Sequence, residues 1–388
     1  MEEWKEYKIE DICEQIFAGG DAAKYSSSKH QTPLYNIPIY ANSTESEGLY
    51  GYCDKAVVSS PAVTIAARGA GIGFVAFRNK PFVPIVRLIT LITNNLVDTK
   101  FLYYYLKNRK LSGDGSAIPQ ITVPMVKKEI VTVPILEEQK RIANILSSLD
   151  DKIELNRRIN DNLEQQAQAL FKSWFVDFEP FRGGEFVDSE LGLIPKGWRV
   201  VSLGEVTKQI TEKVGNREDV TVLSPINSGE LVLSEEYFTK QVFSKDLSKY
   251  LIVNPLSFAY NPARINIGSI GLNTFDFVGC VSPVYVVFEC EPNYQYFFDF
   301  FKRTAMFKDE VALRAIGGVR QSLGYNDLSL IKTIYPTSDV VVEFNNLYLK
   351  MKEVMIKNTD QNEKFISFRD SILPKLMSGE LKINEFNC

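Results

Sequence analysis

Two stretches of this chain, residues 135–179 and 337–373, hold neither glycine nor proline, although the whole sequence has 23 glycines and 17 prolines. Both carry apolar residues in alternating steps of three and four, the spacing at which one face of a helix meets a partner helix. The first seam runs Leu146, Leu149, Ile153, Asn156, Asn160, Leu163, Ala167, Leu170, Trp174. Shifting by 202 residues, the separation of Pro134 and Pro336, gives Tyr348, Met351, Met355, Asn358, Asn362, Phe365, Arg369, Ile372, Leu376. Each helix therefore breaks its seam with asparagines at the same two positions.

Buried amides in such a seam lower stability and specify register, because a slipped alignment leaves them facing apolar side chains. Laid antiparallel about their midpoints, the helices bring Asn156 near Asn362 and Asn160 near Asn358. A parallel pair also aligns like with like, so the amides alone leave direction open. The chain path favours the antiparallel pair, since two equal halves joined head to tail close most simply about a pseudo-two-fold axis. At ~1.5 Å rise per residue, a helix of about 36 residues spans on the order of 54 Å.

Each helical stretch follows a segment rich in Val, Ile, Tyr and Phe and broken by Gly, Pro, Asn and Ser, the signature of short strands and turns. The two segments share a frame, as expected of an internal repeat. "WKEYKIEDICEQI" from Trp4 aligns without gaps on "WRVVSLGEVTKQI" from Trp198, pairing Ile12 with Val206, Gln15 with Gln209 and Ile16 with Ile210. Near their ends, "GSAIPQITVPMVKKEIVTVP" resembles "GGVRQSLGYNDLSLIKTIYP", with Gln120 against Gln321 and Pro134 against Pro336. Between these anchors the similarity fades. The expected fold class is α+β: two similar α/β domains separated by two long antiparallel coiled-coil helices, with a pseudo-two-fold internal repeat. The boundaries expected are 1–134 for the first globule, 135–179 for the first helix, 180–197 for a linker, 198–336 for the second globule, and 337–388 for the second helix and C-terminal segment.

Composition excludes several functions. No run approaches the ~18 apolar residues of a membrane span, and the charged start "MEEWKEYKIED" is unlike a signal peptide, so a cytoplasmic protein without membrane contact is expected. The five cysteines are scattered without a C-x-x-C pair, which fits reduced thiols and no metal site. The net charge of -4 is concentrated in 135–194, where Asp+Glu outnumber Lys+Arg by 12 to 7, so both globules are free to carry a basic face.

Catalytic patterns are missing. The one histidine, His30, reads as a surface loop residue, and no suitably spaced serine or cysteine motif accompanies it. "RGAGIGF" (Arg68 to Phe74) departs from the dinucleotide-binding spacing and leads into the strand-like "FVAF". "YNPAR" (Tyr260 to Arg264) only partly resembles the Asn-Pro-Pro-aromatic motif of amino-methyltransferases, because Ala263 and Arg264 replace the second proline and the ring. No cofactor and no catalytic residue is expected.

Three motifs, "LEEQKRIANILSSLDDKIELNRRINDNLEQQAQALFKSWFVDFEP", "IPKGWRVVSLGEV" and "ILPKLMSGEL", closely resemble the conserved regions of specificity subunits of type I restriction and modification systems. The resemblance covers the whole chain in order. It implies that each globule is a target recognition domain, each helix a conserved spacer, and the subunit a non-catalytic ruler with two reading heads. The implied partners are double-stranded DNA, two methyltransferase subunits and, in the full complex, restriction subunits. Two unlike globules on a rigid spacer would read an asymmetric bipartite site.

Bases are read by Arg and Lys toward guanine and Asn and Gln toward adenine, with hydroxyls on phosphates. The first globule offers Tyr40, Asn42, Ser43, Thr44 and Arg68 in polar loops, and the second offers Asn227, Ser228, Asn261, Arg264 and Asn266. Asn156, Asn160, Asn358 and Asn362 are the expected register residues. Read singly, each loop Asn or Ser is as well explained by a turn that caps its own backbone. The competing function is a protein-interaction scaffold with no DNA role, two like domains on a coiled coil.

Overall fold

The computed structural model describes residues 4–109, 111, 113, 119–240, 243–314 and 322–383. Two compact units divide the chain: residues 1–158 with 358–388, and residues 159–357. Each holds one globule and part of each long helix, because Leu136–Phe175 and Ser338–Met377 are both continuous helices of 40 residues.

The globules are wired alike. In the first, Cys13–Ala18, Ile89–Thr93, Ala62–Ile65 and Val75–Arg78 form an antiparallel sheet in that order. A second sheet orders Ser27–Ser28, Leu49–Cys53, Ile37–Tyr40 and Val83–Pro84, its last pair parallel. In the other globule Thr207–Ile210, Val286–Cys290, Phe258–Tyr260 and Ile270–Leu272 repeat the antiparallel sheet. Beside it, Leu231–Leu233 pairs antiparallel with Thr221–Pro225, which runs parallel to Gly279–Val281, and Leu251–Val253 closes the edge. The hairpin Ile37–Tyr40/Leu49–Cys53 thus corresponds to Thr221–Pro225/Leu231–Leu233, and Ala62–Ile65/Val75–Arg78 to Phe258–Tyr260/Ile270–Leu272.

The repeated sequence anchors are the two strands of one ladder in each globule. Lys5–Lys8 pairs with Ile130–Val133, Lys5 opposite Val133, and Arg199–Ser202 pairs with Lys332–Tyr335, Arg199 opposite Tyr335. A ladder that closes each globule beside its outgoing helix tolerates little change, which accounts for similarity at the ends. Gln139 adds a seal in the first unit: its amide donates to the Pro134 and Leu96 carbonyls at 2.8 and 3.1 Å and accepts from the Asp98 N–H at 2.8 Å. The tryptophans close the other helix ends. Trp4 lies against Gly379, whose φ of +73° ends the second helix and where an added Cβ would come within 3.0 Å of the indole. Trp198 packs on Phe175, Phe178 and Phe181 after the first helix.

Each unit has its own core. In the first, Ile12, Val63, Leu91, Phe101 and Leu102 pack with Leu146, Ile372 and Leu376 from the helices. In the second, Phe297, Phe300 and Phe301 pack with Phe171, Phe175, Phe344 and Tyr348. Fully burying one such aromatic stabilises by roughly 1.5–3 kcal/mol, so the seams bind each globule to its helix segments as well as helix to helix. Among the described residues no helix is long and apolar enough to cross a membrane.

Candidate nucleic-acid interface

In the first unit the turn at 41–48 lies against the turn at 66–74. Asn42 makes the junction: its Oδ1 accepts from the Ala67 N–H at 2.8 Å, and its Nδ2 donates to the Val86 carbonyl. That amide holds three chain segments together. Ser43 Oγ accepts from the Glu45 N–H at 3.1 Å. Gly71 lets the turns touch, since a Cβ there would sit 3.0 Å from the Thr44 methyl. Ser46 and Glu47 have φ of +46° and +52°, a conformation that costs a non-glycine residue about 1–3 kcal/mol unless its surroundings enforce it.

Arg78, only 4% exposed, supplies the enforcement. Its guanidinium donates to the Glu47 carbonyl at 2.6 Å, the Glu47 carboxylate at 3.1 Å and Thr64 Oγ1 at 3.2 Å, and lies 3.6 Å from the centre of the Tyr40 ring. Burial pulls the Arg78 pKa down while Tyr40 and Glu47 oppose that shift, and guanidinium stays charged in proteins. Tyr40 is therefore a half-buried platform under the turn. Arg68, half-buried at the start of the 66–74 turn, makes no hydrogen bond or ion pair among the described residues.

The second unit juxtaposes the corresponding turns, 226–230 and 261–269. Ser269 Oγ donates to the Pro225 carbonyl at 2.8 Å, and Gly268, with φ +93°, comes so close to Asn227 that a Cβ would lie 2.6 Å from its carbonyl oxygen. Asn227 and Ser228 are exposed at one tip, where Ser228 Oγ donates to Glu230 at 2.8 Å. Arg264 and Asn266 are exposed on the other. Asn261 Oδ1 accepts from the Ala263 N–H at 3.0 Å, an Asx-turn that shapes the loop's own backbone.

All ten expected contact residues thus fall on, or directly under, two equivalent pairs of touching turns. They divide by what their side chains do. Asn42, Ser43 and Asn261 satisfy nearby backbone and Tyr40 carries Arg78, whereas Asn227, Arg264 and Asn266 are exposed on the turns and Arg68 is half-buried at the start of its own. His30 is exposed in a loop where its N–H donates to Ser28 Oγ at 3.2 Å. Tyr260 of "YNPAR" is a fully buried core residue. Sequence reasoning missed Arg78 and Lys302, the buried cations behind the turns; for Lys302 the signal was an Asp and a Lys three apart inside the aromatic run "QYFFDFFKR".

The helix amides act within the units. In the first, Asn156 Nδ2 donates to Asn362 Oδ1 at 3.0 Å and Asn362 Nδ2 to the Ile153 carbonyl at 3.3 Å. Arg369 pairs with Asp150 at 2.6 Å, and Asp150 accepts from the Tyr104 hydroxyl at 2.7 Å. In the second, Asn160 Nδ2 donates to the Met355 carbonyl at 3.0 Å. In both, partners pair in opposite chain directions, so the helices are antiparallel. Gln321, matched to Gln120 in the repeat, lies outside the described residues.

A family described as type I restriction modification DNA specificity domain matches residues 1–165. The HindI specificity subunit of Haemophilus influenzae is 24% identical across 98% of this chain and 100% of its own length. Over these lengths the chain is similar to specificity subunits of type I restriction–modification systems. The MjaIX specificity subunit of Methanocaldococcus jannaschii is 26% identical over 86% of this chain and 80% of its own. A crystal structure of a type I restriction–modification S subunit from M. genitalium shares the fold, with a TM-score of 0.61 at 17% identity over 96% of each chain.

Proposed function

We propose that this chain is the DNA sequence-recognition subunit of a type I restriction–modification complex. Residues 1–134 and 198–336 each read one half of an asymmetric bipartite site, and the helices fix the spacing and dock methyltransferase subunits. The observation that carries this reading is the repeated pair of touching polar turns: one backbone plan presents Arg68 in one globule, and Asn227, Arg264 and Asn266 in the other. A shared scaffold with different side chains at its exposed tips is what reading two different half-sites requires. Base contacts are assigned first to these four residues, with Thr44 and Ser228 on phosphates and Tyr40, Asn42, Ser43 and Asn261 shaping the turns.

Along the second long helix Val342, Leu349 and Ile356 are exposed at seven-residue intervals, 37%, 41% and 52%. An apolar stripe of this kind favours a partner surface, here a methyltransferase subunit. Restriction subunits would join for cleavage, and the complex would act in the cytoplasm. The test is co-purification with the methyltransferase subunit, then footprinting and methylation mapping on DNA at several salt concentrations. Protection of a bipartite site that weakens with salt supports the reading. A complex that never protects DNA, or an isolated chain that methylates DNA unaided, overturns it.

A further inference from the structure

The second unit contains a buried polar chain that runs from the first long helix to both turns. Lys302 is 6% exposed, sits just past the helix Gln295–Phe301, and pairs with Asp299 at 2.7 Å. Its ammonium also donates to the Gly229 carbonyl at 2.5 Å and the Ile270 carbonyl at 3.0 Å. Gly229 belongs to the 226–230 turn, and Ile270 begins the strand leaving the 261–269 turn. Asp299 in turn accepts from Arg303 at 2.8 Å, and Arg303 pairs with Glu164 on the long helix.

An ammonium has three donors and no acceptor. Here the three are committed to one carboxylate and two carbonyls, one on the 226–230 turn and one at the strand that leaves the 261–269 turn, so Lys302 has none left for DNA. Such a charge is tolerated in the interior only when fully paired, and pairing this complete holds the two turns at one separation. The first unit reaches the same end by another route, with Arg78 entering from a strand. The repeat thus conserves a buried cation behind the turns but not the element that supplies it.

We propose that Lys302 is a positioning residue for recognition of one half-site: it clamps the 226–230 and 261–269 turns together and, through Asp299, Arg303 and Glu164, ties them to the spacer helix. This rests on the function proposed above. It separates specificity into exposed side chains that contact bases and a buried clamp that sets their mutual placement, and it predicts that specificity at one half-site changes when no DNA-facing residue does.

The test expresses the full chain with its methyltransferase subunit in a methylation-free host and maps methylated sites genome-wide for the parent, Lys302→Met and Ser269→Ala. Ser269→Ala removes another side-chain bond, from the 261–269 turn to the Pro225 carbonyl beside the 226–230 turn. Methylation at sites mismatched in the second globule's half is expected to rise about tenfold relative to the parent, as for loss of one good base contact, with the other half unchanged. Hydrogen exchange should quicken in 226–230 and 265–271 but not in the strand Leu251–Val253. Unchanged stringency in a folded Lys302→Met protein, or equal relaxation of both halves, overturns the clamp. If Lys302→Met does not fold, Ser269→Ala decides alone: relaxation of one half upholds the clamp and an unchanged map overturns it. A parent that methylates no bipartite site refutes the underlying function instead, whatever the variants do.

Discussion

Asn156 and Asn362 face each other across the helix pair, the amide of one donating to the carbonyl oxygen of the other at 3.0 Å, at 2% and 8% exposure. Each is the partner that makes burial of the other tolerable. Replacing one should be worse than replacing both. Asn156→Leu leaves the Asn362 oxygen buried and unpaired and should lower stability by about 1–3 kcal/mol, whereas the Leu/Leu double variant should be near neutral or stabilising. Denaturant unfolding of the parent and the two variants checks the order. In the assembled complex the double variant should accept altered spacer lengths more readily, because the polar pair no longer penalises a slipped register. A double variant less stable than the single would remove the amides from any register role.

Tyr104, Asp150 and Arg369 tie the first globule to both long helices. Removing the hydroxyl by Tyr104→Phe should cost about 1.5–3 kcal/mol, the usual range for a hydrogen bond to a charged group, and Asp150→Ala should cost more because Arg369 then loses a partner. A double-mutant cycle between Tyr104 and Asp150 should return a coupling of about 0.5–3 kcal/mol. Additive effects would mean that the contact contributes nothing of its own.

Arg264, exposed, and Arg68, half-buried, test the assignment of the turn residues. Arg264→Ala should relax one half-site and Arg68→Ala the other, each by about 1–3 kcal/mol of base discrimination. Arg264→Ala should not move the melting temperature appreciably, since surface substitutions away from packed features usually stay within ±0.5 kcal/mol. Methylation maps of both variants read the outcome. Relaxation of the same half by both would contradict one globule per half-site.

The buried thiols make stability fall in alkaline solution. Burial pushes the pKa of Cys13 and Cys290 up to about 12 and that of Cys280 to about 11. The unfolded chain loses these protons near the ordinary thiol value of 9.0 and the folded chain keeps them, so the unfolded state binds fewer protons between about 9 and 12 and stability declines as pH rises through that window. Denaturant midpoints from pH 7 to 10.5 should drop above pH 9. At neutral pH the same thiols should resist alkylation in the native protein and react once it is unfolded. Fast native labelling of Cys290 would refute this.

The long helices, their antiparallel seam and the duplicated frame were all legible in the order of the residues. Heptad spacing and glycine–proline avoidance are local properties, and the Trp4/Trp198 and Pro134/Pro336 anchors mark strands that must close each globule beside its helix. The pairing of Asn156 with Asn362 followed from register together with the antiparallel direction that the chain path favours. Asn160 also donates to the Met355 carbonyl, a backbone partner that side-chain register does not anticipate. The polar turns were visible as clusters of Asn, Ser and Gly, but not which turns touch or which side chains face outward. Asn42 and Arg264 look alike as loop residues. Asn42 holds Ala67 and Val86, 25 and 44 residues away, whereas Arg264 extends into solvent. Such roles depend on contacts between distant segments, and a buried cation such as Arg78 or Lys302 is indistinguishable in sequence from a surface one until the fold supplies the carboxylate and carbonyls that make its burial tolerable.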